Sequence, residues 1–342
     1  MSTPEHTARY LAAADGRVVW QERAFGPLPP LHVRVRTLFS GLSVGTEIET
    51  VRRSKSGTLA ADANLGYQLV GEVLESAIDG IVPGTRVACY GGPYVHHASI
   101  VEVPKHLCAQ LPASVVVPDG GYCGLGAIAL HAFRSTAAAL GEITAVIGLG
   151  MVGNLIAQIS RAAGCQVFGL EPVAERRSLA GECGIATAAS TAELYDQVLS
   201  ASNGAGADAV LIAAGNCSSD LLEFACSLVR RAGCIAIVGL CDAAVPRESL
   251  FQTEARILVP RAGGPGRRDP QYERLGIDYP YEHARWTEHR NLHEFLRLLE
   301  IGAVQISTLY DVVPVSDAPA TYERLQSRMS AHLGHVFDWQ GL

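Results

Sequence analysis

No segment of this 342-residue chain is apolar for the roughly 20 residues that a bilayer-spanning helix needs. Nor is there a dense stripe of lysine and arginine, and the formal net charge is −7, so neither nucleic acid nor an anionic membrane is an expected partner. The opening Met-Ser-Thr-Pro-Glu-His lacks a basic stretch followed by an apolar core, so no secretory leader is expected and a cytoplasmic location is. No two cysteines stand as Cys-x-x-Cys. The nine, at 89, 108, 123, 165, 183, 217, 226, 234 and 241, lie mostly within apolar segments and read as reduced core residues, not a disulfide framework. Internal repeats and low-complexity tracts are missing as well. What is present, 48% hydrophobic and 18% charged residues, describes an ordinary globular chain long enough for two domains, whose default partners are small molecules.

Residues 145–153 read Ala-Val-Ile-Gly-Leu-Gly-Met-Val-Gly, a strand-like run into Gly148-x-Gly150-x-x-Gly153. The first glycine permits a tight turn, the second lets backbone approach a pyrophosphate, and the third lets helix pack on strand. Alone the motif is weak, and a glycine-rich turn of another α/β fold is the competing reading. Here it lies between a strand (Ile143 to Ile147) and a helical run (Val152 to Ala163), and a second strand, Gln166 to Leu170, ends at Glu171. An acid about 20 residues past the glycines suits a carboxylate that accepts both hydroxyls of an adenosine ribose. The expected cofactor contacts are Gly148, Gly150, Met151, Val152, Gly153 and Glu171, with Arg176 and with Ala214 and Gly239 after two later strands. Glu171 would repel a 2′-phosphate and so argues for NAD; Arg176 and Arg177, either of which could reach such a phosphate, argue for NADP.

To about residue 130 short β-like segments alternate with turns: Arg17 to Gln21, His32 to Phe39, Leu69 to Leu74, Arg86 to Tyr90 and Ile100 to Val103. An apolar helix over Leu125 to Ala139 leads to a different pattern. Strands at Thr144 to Ile147, Val167 to Leu170, Ala209 to Ala213 and Cys234 to Val238 alternate with helices near 152–163, 174–182, 191–201 and 218–231, which predicts a doubly wound parallel sheet. A strand over Ala255 to Pro260, a Gly/Pro-rich loop over 263–270, a helix from Glu288 to Ile301, a strand at Tyr310 to Val313, a helix from Ser316 to Arg328 and a strand at His335 to Asp338 complete the reading. The expected division puts residues 1–131 and 263–342 in one domain and 132–262 in the other.

This order, with Gly84-Thr85-Arg86-Val87, the strand from Ala98 to Pro104 and the glycine fingerprint, resembles the medium-chain dehydrogenase/reductase superfamily. The resemblance implies an α/β chain with a GroES-like irregular β-barrel domain and a Rossmann domain. It also implies an NAD(P)-dependent oxidoreductase acting on CH–OH groups, and a homodimer that pairs Rossmann sheets through Ala255 to Pro260. Zinc members carry a Cys-Gly-x-Asp-like segment, then Gly-His-Glu, then a third Cys or His. Here Ser43-Val44-Gly45-Thr46-Glu47 and Gly66-Tyr67-Gln68 stand in the first two places, and only Cys123 survives. A catalytic zinc normally takes three protein ligands, so no metal is expected. The four-cysteine lobe of the family is missing between Cys89 and Cys108. His289 and His293 have metal-like i, i+4 spacing but read as solvated residues on an outer helix.

The Ser-x-Gly-Thr-Glu variant is similar to zinc-free branches: the bacteriochlorophyllide-pathway dehydrogenase, glycoside 3-dehydrogenases, and the dehydrogenase half of two-domain sugar oxidoreductases. Asp269-Pro270-x-Tyr272, Asp278-Tyr279-Pro280 and Arg285-Trp286-Thr287-Glu288-x-Arg290-Asn291 resemble the last two. They imply a polyhydroxylated substrate, with chemistry at a ring secondary hydroxyl of a sugar, glycoside, nucleoside or cyclitol. Without a metal, a protein group must take the alcohol's proton. Thr46 aligns with the family's relay hydroxyl, or is a turn hydroxyl; Glu47 is a base, or the partner of an arginine; Tyr67 is a donor, or a ring filling the vacated space. Of His96 and His97, strand alternation sends at most one towards substrate, and His97 is the candidate. Lys105 reads as a surface residue. Ser43, Gln68 and Cys123 at the former zinc positions, and Arg261, Tyr272, Asp278 and Tyr279 in the return segment, are candidate substrate contacts, with a surface or dimer loop as the competing reading of the last four. Two other functions stay open: a zinc-free NADPH-dependent quinone or enone reductase, and a non-catalytic cofactor-bound protein.

Overall fold

The computed structural model describes residues 6–56, 58, 63–327 and 333–342. The leader reading of Met1 to Glu5 and the expected helix end at Arg328 lie outside the described residues. The chain forms two compact units, one of Met1–Leu125, Pro265–Glu300 and Leu309–Leu342, the other of Gly126–Gly264 and Ile301–Thr308. Among the described residues no helix is long and apolar enough to cross a membrane.

The first unit opens on a hairpin, β1 (His6–Ala14) and β2 (Arg17–Phe25), joined by Asp15-Gly16 with φ of 48° and 74°. Two positive-φ residues match the right-handed twist of the flanking strands. There follow β3 (His32–Gly41), α1 (Val44–Lys55), β4 (Ala63–Asn64), β5 (Gln68–Ser76), β6 (Arg86–Tyr90), β7 (Ile100–Pro104) and β8 (Cys108–Gln110). β3 pairs antiparallel with β5 and β7, and its period-2 apolar positions Val33 and Val35 meet Val73, Val101 and Val103 in one core. Residues 44–47, assigned no element from sequence, begin helix α1, whose Ile48 and Val51 enter a second core with Leu11, Leu42, Phe337 and Trp339.

α2 (Cys123–Thr136) carries the chain into the second unit and stops at Ala137, whose φ of 60° ends a helix expected to reach Ala139. Then come β9 (Ile143–Ile147), α3 (Met151–Ala162), β10 (Gln166–Leu170), α4 (Ala174–Glu182), β11 (Ala186–Ala188), α5 (Thr191–Ala201), β12 (Ala207–Ile212), β13 (Asn216–Cys217), α6 (Ser219–Leu228), β14 (Val229–Ile237), β15 (Leu240–Cys241), α7 (Arg247–Thr253) and β16 (Arg256–Leu258). Six parallel strands lie in the order β11-β10-β9-β12-β14-β16. All five residues of β9 are buried, as a central parallel strand covered on both faces requires. The expected doubly wound sheet is therefore present, with its switch point between β9 and β12. One element differs: the helix expected to 231 ends at Leu228, because Arg230 and Arg231 leave it for β14 and pair with Asp208 and Glu254.

The return segment adds α8 (Pro270–Glu273), α9 (Glu288–Glu300), β17 (Tyr310–Pro314), α10 (Ala318–Ser327) and β18 (Gly334–Asp338) to the first unit, where β18 runs parallel to β17 and antiparallel to β3. α9 buries Leu292, Phe295, Leu296 and Leu298, one face of a helical period.

Candidate functional site

In the second unit, the three fingerprint glycines have separate physical reasons. Gly148 has φ of 89°, and a Cβ there would lie 2.9 Å from the Ala214 amide nitrogen. A Cβ on Gly153 would fall 1.8 Å from the Gly148 carbonyl oxygen, so helix and strand pack backbone to backbone only with glycine. A Cβ on Gly150 would meet nothing within 4 Å. Gly150 is the N-cap of α3 and no side chain caps that end, so the first-turn amides of Met151, Val152 and Gly153, which have no intrahelical acceptor, face this open space.

Glu171 closes the other side of the loop. It is 4% exposed, accepting the Leu149 N–H on Oε2 at 3.0 Å and the Val173 N–H on Oε1 at 3.1 Å. Each oxygen keeps a lone pair for a further donor. Arg177 donates to the carbonyls of Glu171 and Pro172, both at 2.8 Å, so its guanidinium is turned to backbone, while Arg176 stands on α4. At the carboxyl ends of β12 and β14, Gly239 backs onto Ala214, whose oxygen lies 2.4 Å from where a Cβ on Gly239 would be.

In the first unit Ser43, Thr46 and Tyr67 come together. The Tyr67 hydroxyl donates to Ser43 Oγ at 2.6 Å and is hydrogen-bonded by the Thr46 side chain. Ser43 precedes α1, Thr46 is exposed in its first turn, and Tyr67 is half-buried just before β5. Burial pushes the Tyr67 phenol up to about 12, with the Glu47 carboxylate adding to the rise, so it is a hydrogen-bond donor at neutral pH.

Glu47 and His97 also meet, but inside the protein instead of facing a substrate. They are 2% and 0% exposed. Glu47 Oε1 accepts the Ser43 N–H at 2.7 Å, while Oε2 contacts His97 Nε2 at 3.0 Å and accepts the Tyr322 hydroxyl at 2.5 Å. His97 Nδ1 lies 2.7 Å from Ser40 Oγ, which accepts Trp339 Nε1–H at 2.8 Å. These donors use the acceptor capacity that a base would need, so direct contact with a substrate is not what this arrangement offers. The two histidines lie between β6 and β7 and not in a strand, so alternation does not place them; His96 is buried edge-on to Tyr10, and burial lowers its pKa to about 4.

Of the other candidates, Gln68, Cys123 and Tyr272 are likewise held internally. Gln68 bonds the Gly41 carbonyl and the Leu125 amide. Cys123 donates to the Cys89 carbonyl at 3.3 Å, and burial pushes its thiol up to about 12. Tyr272 is 1% exposed, stacked on His106 with ring centroids 4.2 Å apart, and donates to Thr287. Tyr279 donates to Asp269, and exposed Asp278 pairs with Arg290. Arg261 is exposed and belongs to the second unit. His289 and His293, read as solvated residues, are half-buried and exposed respectively and place their Nε2 atoms 3.2 Å apart; burial lowers the His289 pKa to about 3. At the former zinc positions the donor chemistry does not fit zinc, because two hydroxyls are bonded to each other and the thiol is buried and bonded to a carbonyl.

Residues 151–269 match the family model described as zinc-binding dehydrogenase, a stretch that contains none of Ser43, Tyr67 and Cys123. A protein of Mycobacterium tuberculosis (strain H37Rv) carrying the name alcohol dehydrogenase D is 31% identical over 186 residues, which are 52% of this chain and 48% of that one; the match spans about half of that relative's length. D-guloside 3-dehydrogenase of Escherichia coli K12 is 24% identical over 269 residues, 75% of this chain and 72% of its own. Among solved structures, 2R,3R-butanediol dehydrogenase from Bacillus subtilis superposes with a TM-score of 0.77 at 17% identity, covering 97% of this chain and 99% of that one, a likeness of fold.

Proposed function

We propose that this chain, which belongs to the medium-chain dehydrogenase/reductase superfamily, is an NAD-dependent oxidoreductase acting on a CH–OH group without a catalytic zinc ion. The observation that carries the reading is the Tyr67–Ser43 hydroxyl pair at 2.6 Å, at positions where zinc members of the superfamily hold metal ligands. A nicotinamide dinucleotide, when bound, accepts the hydride. The residues that would hold it are Gly148, Gly150, Met151, Val152 and Gly153 for the phosphates, and Glu171 for the adenosine ribose, with Ala214 and Gly239 beside the remainder.

The proton is left to this chain's own groups. For alcohol oxidation the hydroxyls turn from the arrangement seen, in which Tyr67 donates to Ser43: the Ser43 hydroxyl then receives the alcohol's proton as its own moves to Tyr67, and the Tyr67 proton moves to exposed Thr46 and on to water. The path is reversible, so the same groups donate during ketone reduction. Glu47, fixed by His97 and Tyr322, holds the Ser43 amide and sets the hydroxyl's position; Glu47 and His97 are positioning residues.

The substrate in this proposal is a ring secondary hydroxyl of a sugar, glycoside, nucleoside or cyclitol, supported by the tail motifs and by similarity to a guloside dehydrogenase. A cytoplasmic homodimer through the β16 edge belongs to the same proposal, supported by exposed Leu240, Val245, Phe251 and Val259 in the second unit. Against an NADPH-dependent quinone or enone reductase stands the Glu171 carboxylate beside the Leu149 amide, where a 2′-phosphate would meet its charge.

A panel of methyl hexosides, polyols, cyclitols and nucleosides, each offered with NAD and with NADP, beside quinones and enones offered with NADPH, tests the reading. Turnover with NAD and at least one member is expected. With that substrate, Tyr67→Phe should lower kcat about 100-fold with NAD affinity unchanged. Turnover with NADPH and quinones alone, or an unchanged kcat in Tyr67→Phe, would overturn it.

A further inference from the structure

Two pairs of cysteines face each other across strands. Cys89 on β6 and Cys108 on β8 are antiparallel partners; Cys217 on β13 and Cys241 on β15 are parallel ones. Neighbouring strands lie about 4.8 Å apart, within the roughly 4.4–6.8 Å between Cα atoms that a disulfide accepts. The pairs differ in access. Cys89 and Cys108 are 0% and 2% exposed inside the first core, whereas Cys241 is the exposed cysteine of the nine. Its partner Cys217 is buried, and the two stand directly opposite each other in the parallel ladder.

The place of the second pair matters. β13 follows β12 after Ala213, Ala214 and Gly215, and β15 follows β14 after Val238 and Gly239. The two-residue ladder therefore sits beyond the carboxyl ends of adjacent parallel strands, the side on which open α/β sheets bind ligands. Gly239 and Ala214 are already packed backbone to backbone beside it.

We infer that Cys217 and Cys241 are a reversible dithiol–disulfide couple, a redox modification site that locks the spacing of the two loops bearing Ala214 and Gly239. The oxidant is a hydroperoxide. Exposed Cys241 attacks the peroxide's outer oxygen and becomes a sulfenic acid, while the O–O bond breaks and the other oxygen leaves as water or an alcohol. The Cys217 sulfur then attacks the Cys241 sulfur, the S–S bond forms, and the hydroxyl leaves with the Cys217 proton as water. Two thiols are oxidised by two electrons and one peroxide is reduced. Burial and the adjacent Cys241 thiol push the Cys217 thiol up to about 12, which suits the resolving partner and not the first target. Their places opposite each other in one ladder make the second step intramolecular.

The effect on cofactor rests on the nucleotide-binding reading above: the disulfide weakens NAD binding about fivefold or more, and by linkage NAD protects the dithiol to the same degree. The full chain, reduced and then exposed to hydrogen peroxide, is alkylated, digested without reduction and sequenced by mass spectrometry. Expected are loss of the mass of two hydrogens, a Cys217–Cys241 linked peptide, and alkylated Cys89 and Cys108 in the same sample. In Cys217→Ser, the sulfenic acid at Cys241 should accumulate and be trapped by dimedone. A dimer linked through Cys241, or Cys241 passing to sulfinic acid with Cys217 still alkylatable, would overturn the couple. NAD binding is titrated separately on the reduced protein: failure there removes the cofactor reading and leaves the disulfide standing, whereas equal affinity of the reduced and oxidised forms removes only the coupling.

Discussion

Glu47 is a carboxylate held on all sides by the protein's own donors. Its two oxygens accept from a backbone amide, a phenol and an imidazole, all enclosed, so Glu47→Leu strands three interior polar groups at a cost of about 3 kcal/mol. Glu47→Gln keeps one acceptor oxygen and should cost less than half as much; equal losses in denaturant unfolding would contradict this account. His96 makes a pH prediction. Its folded pKa of about 4 lies below the unfolded 6.5, so only the unfolded chain takes up a proton between those values. Stability is therefore full above pH 6.5 and falls towards pH 4, by at most about 1.4 kcal/mol per pH unit for this one group. Thermal unfolding at pH 7 and pH 5 should show a smaller drop in His96→Gln than in the parent chain. An equal drop would mean that His96 does not stay neutral in the fold. At this scale the sequence was only partly legible: Ser43, Thr46 and Tyr67 were candidates on their types and places and do meet, but one of the donors that enclose Glu47, Tyr322, comes from 275 residues away. No local pattern marks Tyr322.

The elements divide by how local their causes are. β9, α3 and β10 could be read directly because a buried parallel strand, a glycine turn and an amphipathic helix each have a short-range signature. The β1–β2 hairpin had its signature too, Asp15-Gly16, yet the expected strands began only at Arg17; a two-residue turn with both φ values positive implies a partner strand on either side. α1 went unread because its first turn, Ser43 to Glu47, carries no side-chain cap and its helical pattern is short. Arg230 and Arg231 left an apolar helix for a strand on account of acids distant in sequence, which periodicity does not register. The fingerprint gives the sharpest test at this scale. Gly150→Ala should fold with an unchanged melting temperature and lose NAD affinity about tenfold or more, because its Cβ projects into open space where a pyrophosphate would approach. Gly153→Ala should lose stability itself, because its Cβ would overlap the Gly148 carbonyl oxygen. Calorimetry paired with NAD titration separates the two, and equal melting temperatures for both variants would contradict the assignment of roles.

For the molecule as a whole, the order of a β-rich unit, a doubly wound sheet and a return segment was legible from strand spacing and the change of hydrophobic period, and it is the architecture found. The exception is residues 301–308, which join the second unit through contacts such as Gln158 with the Gln305 backbone, invisible to composition. The family match covers residues 151–269 only; the departure lies in residues 43–68, outside it. That is why the central claim concerns the proton and not the hydride: Ser43 and Tyr67 are bonded to each other, and the proposed proton path runs through this pair. The direct measurement is the rate of NADH formation on the best substrate of the panel by enzyme stripped with a chelator and assayed for metal, before and after zinc is restored. The account predicts full turnover from essentially zinc-free protein and no gain on adding zinc; activity that disappears with the metal and returns with stoichiometric zinc would contradict it.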